Sequence, residues 1–261
     1  LILNFKKIGE GFPLIILHGL LGSLDNWQGI AKKLAEPRTD STNFAVYVID
    51  QRNHGKSPHT DEFNYDLLAG DLLEFFEQQR ISKAHIIGHS MGGKTAMQFA
   101  LKHPEKVAKL IVVDITPAEY PDGHSQIFKA LFAANVGHAN TREEVEQVLR
   151  SYLGDDKTLI GFLMKGLDRD ANAKHFEWKF NAQALWNNYP NIAEALSADT
   201  PYMGETLFIK GEKSDYINAS NYPDMMRLFP NAQLVEIPGA GHWVHADKPA
   251  EFIGEVLKFL E

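Results

Sequence analysis

The chain has 261 residues, 44% hydrophobic and 23% charged, with a formal net charge of −8 and a pI near 5.8. That balance belongs to a globular chain long enough for one large core, and its acidity argues against nucleic acid or an anionic membrane as partner. It contains no cysteine, which excludes disulfides, thiolate metal sites and a cysteine nucleophile.

Residues 1–7 read as a short strand without the long apolar region of a signal peptide. No apolar stretch approaches the roughly 18 residues that cross a membrane, so a soluble, cytoplasmic protein is expected. Residues 14–17, 45–49, 85–87 and 110–113 are continuous apolar or β-branched runs, suited to strands covered on both faces. Helical patterns lie between them at 27–34, 65–79 and 95–102; in the second, Leu68, Leu72, Phe75 and Phe76 recur at helical spacing. This alternation predicts an α/β fold with a doubly wound, mostly parallel sheet. After Thr116-Pro117 it stops, and residues 118–200 read as helical without a convincing strand. Strands at 206–209 and 233–237 and a closing helix at 249–260 follow. The predicted organisation is a core of residues 1–117 and 201–261, interrupted by a helical cap at 118–200.

The sharpest motif is Gly88-His89-Ser90-Met91-Gly92, with Gly93 behind it. It stands between a strand and a helix, where a serine on a tight, strained turn projects its hydroxyl above the sheet as a nucleophile. The helix N-terminus behind it offers free N–H groups to a developing oxyanion. A second element, His18-Gly19-Leu20-Leu21-Gly22, follows the strand at 14–17. Two amides are needed at a tetrahedral oxyanion, and Met91 and Leu20 are the expected donors. The glycines here form neither a dinucleotide fingerprint nor a phosphate loop. His18 reads as an orienting group for the loop.

Among eleven histidines, His242 in Gly239-Ala240-Gly241-His242-Trp243 is the expected general base. It lies on a loop after the last strand, in the chain order nucleophile, acid, histidine. His245 could pair with it on a metal, but no carboxylate-rich motif accompanies the pair, and no metal is expected. Two residues could be the acid that orients His242: Asp114, ending the run at 110–113, and Asp215, beyond the strand at 206–209. Trp243 is the expected substrate contact. Phe128, Leu131, Phe132, Phe162, Trp178 and Trp186 are candidates for an apolar pocket in the insertion.

With these motifs in view the chain resembles the α/β-hydrolase superfamily over essentially its whole length, and within it the YbfF-type bacterial esterases and their mitochondrial abhydrolase relatives. The text that carries the resemblance includes Asp50-Gln51-Arg52-Asn53-His54-Gly55-Lys56-Ser57 and Gly88-His89-Ser90-Met91-Gly92-Gly93-Lys94-Thr95, and ends with Gly241-His242-Trp243-Val244-His245. The resemblance implies a sheet of about eight strands, a helical cap and carboxylester hydrolysis without a cofactor. It also favours Asp114 over Asp215, because the place where many members carry the acid is Ser214 here. Arg52 and the turn at Asn53-His54-Gly55 read as scaffolding. The expected function is a serine carboxylesterase for short- to medium-chain acyl esters, with Ser90, Asp114 and His242 as its triad. Acyl-thioester hydrolysis by the same triad is the alternative, followed by a non-catalytic ligand receptor.

Overall fold

A computed structural model describes residues 1–39, 42–169 and 175–261. The chain opens with β1 (Phe5–Ile8), β2 (Phe12–Leu17) and α1 (Gln28–Leu34), followed by β3 (Phe44–Ile49) and α2 (Tyr65–Gln78). Next come β4 (Ala84–His89), α3 (Met91–Lys102) and β5 (Val107–Val113). The segment after β5 holds α4 (Ser125–Ala133), α5 (Arg142–Leu153), α6 (Lys157–Lys165), β6 (Leu167–Arg169), β7 (Phe176–Trp178), α7 (Ala182–Asn187) and α8 (Tyr189–Ala193). The chain closes with β8 (Thr206–Gly211), α9 (Tyr222–Leu228), β9 (Ala232–Ile237), α10 (Val244–Asp247) and α11 (Pro249–Leu260).

Among the described residues the main sheet has seven strands in the order β1-β3-β2-β4-β5-β8-β9. Only β1 runs antiparallel to its neighbour. The apolar runs are continuous because each face of the sheet has its own core. Leu14, Ile16, Val46, Val48, Ile111 and Val113 pack with residues of α1 and α11. The alternate residues Ile15, Leu17, Ile49, Ile86 and Val112 pack with α2, α3 and the segment after β5. Period-two alternation thus divides one apolar run between two cores.

Two differences from the sequence reading have physical causes. Helix α3 starts at Met91, four residues earlier than expected, because Gly92 and Gly93 lower helix propensity in the sequence. Their missing side chains are what let this turn pack: a Cβ on Gly92 would lie 2.4 Å from the His18 carbonyl oxygen. The segment after β5 also contains a small antiparallel sheet of β6 and β7. Each strand has three residues, too few for alternation to register as a pattern.

Candidate active site

Ser90 caps α3 immediately beyond β4, with φ 52° and ψ −120°. This region costs a non-glycine residue free energy, and the surroundings hold it there. The Ser90 N–H donates to the Val113 carbonyl at 3.0 Å, and its own carbonyl accepts from Gly93 and Lys94 at 2.8 and 3.1 Å. Close approach dictates the flanking glycines: a Cβ on Gly88 would lie 2.2 Å from the Gly92 carbonyl oxygen. The half-buried serine therefore sits at the C-terminal edge of the sheet with a helix N-terminus behind it.

Asp114 ends β5, is fully buried and has φ 53°. Its Oδ1 accepts from the Gly211 N–H at 3.0 Å. Its Oδ2 accepts from the Ser214 hydroxyl and, at 2.7 Å, from His242 Nδ1. A carboxylate at Nδ1 keeps the proton on that nitrogen and leaves the Nε2 lone pair available. Asp215 takes no part: it is exposed, and among the described residues only its backbone carbonyl is engaged, by Asn218 at 2.8 Å.

Two contacts that the sequence reading missed hold His242. His89 Nε2–H donates to the His242 carbonyl at 2.9 Å, and the Tyr216 ring stacks on the imidazole with centroids 4.1 Å apart. His89 occupies the variable place before the serine in the G-x-S-x-G motif, a position whose identity carries no generic signal.

The early loop lies against the serine; a Cβ on Gly19 would stand 3.3 Å from Ser90 Cβ. Among the described residues neither the Leu20 nor the Met91 amide donates to a protein acceptor. Buried histidines shape this loop. His18 donates from Nδ1 to the Gly19 carbonyl at 2.8 Å and accepts the Gln51 N–H at Nε2 at 3.0 Å. His54 donates to the Arg52 carbonyl at 2.9 Å and accepts the Leu21 N–H at 3.1 Å. Arg52 makes a buried two-bond ion pair with Asp71, at 2.5 and 2.8 Å. Residues 50–57 are scaffolding in this sense: they fix the loop that carries Leu20.

Ser90, Leu20, His242 and Trp243 line one cavity of about 410 Å³. A match to the α/β-hydrolase fold model covers residues 13–249. The chain belongs to the α/β-hydrolase family. It is 38% identical over 263 residues to a Danio rerio protein named sn-1-specific diacylglycerol lipase ABHD11, covering 98% of this chain and 81% of that one. It is 36% identical to Esterase YbfF of Escherichia coli, covering 95% of this chain and 92% of that one. A solved structure of a marine microorganism esterase superposes with a TM-score of 0.93 at 46% identity, covering 98% of each chain. The chain is a hydrolase of the esterase/lipase type.

Residues after β5 form part of the wall of the hydrolase cavity, which Ile127, Leu159, Phe162 and Leu163 line together with Trp243. Of the six apolar residues expected there, only Phe162 lines it, 5.3 Å from the Trp243 ring. Phe128 and Leu131 are buried in the core, Phe128 against Trp186 of α7 and Tyr189 of α8, and Phe132 is 41% exposed. Trp178 stacks on Phe180 instead. Helical periodicity marks apolar positions without telling core from lining. No described helix is long and apolar enough to cross a membrane.

His245 also lines the cavity, lying flat on Trp27 at 3.9 Å, with its Nδ1 buried and, among the described residues, unpartnered. Burial holds His18, His54, His89 and His245 below the ordinary imidazole value, His245 at about 3. Below about pH 6.5 the unfolded chain therefore binds more protons than the folded one. Stability is full above that pH and is lost as pH falls toward the folded values. His245 alone should remove about 2 kcal/mol between pH 7 and pH 5. Urea unfolding at the two pH values measures this, and His245→Phe should flatten the slope; an unchanged slope would refute the assignment.

Proposed function

We propose that this hydrolase is a serine carboxylesterase acting on short- to medium-chain acyl esters through an acyl-enzyme on Ser90. The observation that carries the reading is the 2.7 Å bond from His242 Nδ1 to the buried Asp114 carboxylate. It leaves Nε2 free to accept the Ser90 proton as the hydroxyl oxygen attacks the ester carbonyl. Asp114 then stabilises the imidazolium without taking its proton. Ser90 Oγ makes no hydrogen bond among the described residues; it shares the cavity with His242, and such contacts commonly tighten only with substrate bound.

The tetrahedral oxyanion is held by the Leu20 and Met91 amides. The intermediate collapses as His242 protonates the departing alcohol. Water, deprotonated by His242, next attacks the acyl-enzyme; the acid is released and the proton returns to Ser90. In this reading residues 118–200 are a cap, and the apolar wall formed by Ile127, Leu159, Phe162 and Trp243 takes the apolar part of the ester.

A series of p-nitrophenyl esters from acetate to palmitate tests the reading, together with fluorophosphonate labelling and mapping of the modified peptide. Turnover highest on the shorter chains and a label on Ser90 are expected. A protein that neither turns over an ester nor labels at Ser90 is a receptor on this fold, and the esterase reading falls.

A further inference from the structure

Lys94 stands one helical turn beyond Ser90 on α3, so the two side chains leave the same side of the helix. It is 1% exposed, a rare situation for a lysine unless a carboxylate accompanies it. None does: among the described residues Lys94 has no ion pair, and Glu194 and Glu119 act on it only at a distance. Its ammonium donates to the carbonyls of Ala193, at 3.2 Å, and Glu194, at the end of α8. The rings of Tyr65 and Tyr120 lie 5.7 and 5.1 Å away.

An ammonium carries three donors, and two carbonyls leave one unused. A second cavity, of about 40 Å³, opens at this point, lined by Leu20, Ser90, Met91 and Lys94 together with Tyr65 and Tyr120. Both residues whose amides are expected at the oxyanion thus border it. Of the tyrosines that line it, Tyr65 donates to the Ile192 carbonyl at 2.8 Å, Tyr120 donates to that of Tyr216 at 2.7 Å and Tyr189 pairs with His124 at 2.8 Å, while the neutral Tyr216 hydroxyl makes no hydrogen bond among the described residues. His124 also lines the cavity, but burial lowers it to about 4 and leaves it neutral, so Lys94 is the lining group with both a charge and an N–H to spare. Neutral carbonyls compensate a buried cation only in part, and burial pushes the ammonium down to about 7. An anion entering the cavity would supply the missing counter-charge.

We propose that this small cavity is a subsite for a carboxylate on the substrate's acyl group, held by Lys94 one or two carbons beyond the carbonyl that Ser90 attacks. The inference rests on the esterase reading and narrows it to monoesters of short dicarboxylic acids. The space holds about three water-sized groups, enough for a carboxylate but not for a long chain. With the carboxylate seated there, the 410 Å³ cavity receives the alcohol portion.

The test compares kcat/KM for monoethyl malonate and monoethyl succinate with their neutral isosteres, ethyl 3-methylbutanoate and ethyl 4-methylpentanoate. Release of acid is followed by titration. The wild type should favour the charged ester of at least one pair by roughly tenfold or more, the worth of a charged hydrogen bond. Lys94→Met should abolish that preference. Lys94→Gln, which keeps N–H groups for the α8 carbonyls but no charge, should do the same. Because the readout is a ratio within each variant, a general loss of folded protein cancels. No preference in the wild type, or one that survives in either variant, overturns the subsite and leaves Lys94 as a tether for α8. Should no ester turn over at all, the esterase reading fails on its own. Calorimetry of monoethyl succinate with Ser90→Ala then still decides the subsite, which requires binding that is lost on adding Lys94→Met.

Discussion

Asparagine in place of Asp114 should lower kcat about 10⁴-fold, whereas Asp215→Asn should leave it nearly unchanged. The first effect comes from donor and acceptor accounting at a fully buried group. The Asp114 carboxylate accepts from the Gly211 N–H on one oxygen, and from Ser214 and His242 on the other. An amide has one oxygen and one NH₂ to offer. With NH₂ toward His242, Nδ1 must become the acceptor and the proton moves to Nε2, the nitrogen that should receive the Ser90 proton. With the oxygen toward His242, NH₂ confronts the Gly211 N–H, and a buried donor loses its acceptor. Either orientation damages the base or its support. Asp215 is exposed and engages no side chain of the site, so its carboxylate has nothing of this kind to lose. Steady-state kinetics of both variants, with thermal melts to establish folding, decides the matter. A larger loss at Asp215 would overturn the assignment of the acid.

The two aspartates show how far the residues themselves could be read. Both end or follow a strand, so pattern alone leaves them level, and the preference for Asp114 comes from resemblance. What separates them in space is a relation between β5 and β8. The two strands are neighbours in register, Val113 beside Ile209, and that pairing brings Gly211 and Ser214 onto the Asp114 carboxylate. Pairing of strands far apart in sequence leaves no local trace. Continuous apolar runs did mark β2 to β5, because burial on both faces imposes them. They could not mark the three-residue strands β6 and β7. The glycines of the serine turn were legible as a motif, yet as helix residues they misplaced the start of α3. In the sequence Lys94 stands out only as part of the string that carries the resemblance. Its burial depends on α8 and two tyrosines from distant parts of the chain, which sequence order does not bring together.

Ser90→Ala, His242→Ala and the double variant should each lose on the order of 10⁶ in kcat, with the double no worse than either single. In the proposed mechanism the two side chains perform one act. The serine is a poor nucleophile without a base to take its proton, and the base has no proton to take without the serine. Removing either ends acyl-enzyme formation, so the second removal costs nothing further. What survives should be a residual rate about 10³–10⁴ above water, supplied by the amides at the oxyanion and by substrate binding. Those amides depend on the backbone, where Leu20 is held through the His18 and His54 contacts and Met91 by α3, so alanine at 90 or 242 leaves them in place. Kinetics of the three variants on the best p-nitrophenyl ester, with enzyme freed of wild-type contamination, supplies the comparison. If the losses add in the double variant, Ser90 and His242 act in separate steps, and the shared proton transfer is wrong. If they coincide, the cavity contains one catalytic unit resting on a preformed oxyanion site, the division of labour that the bonds among Asp114, His242 and their neighbours imply.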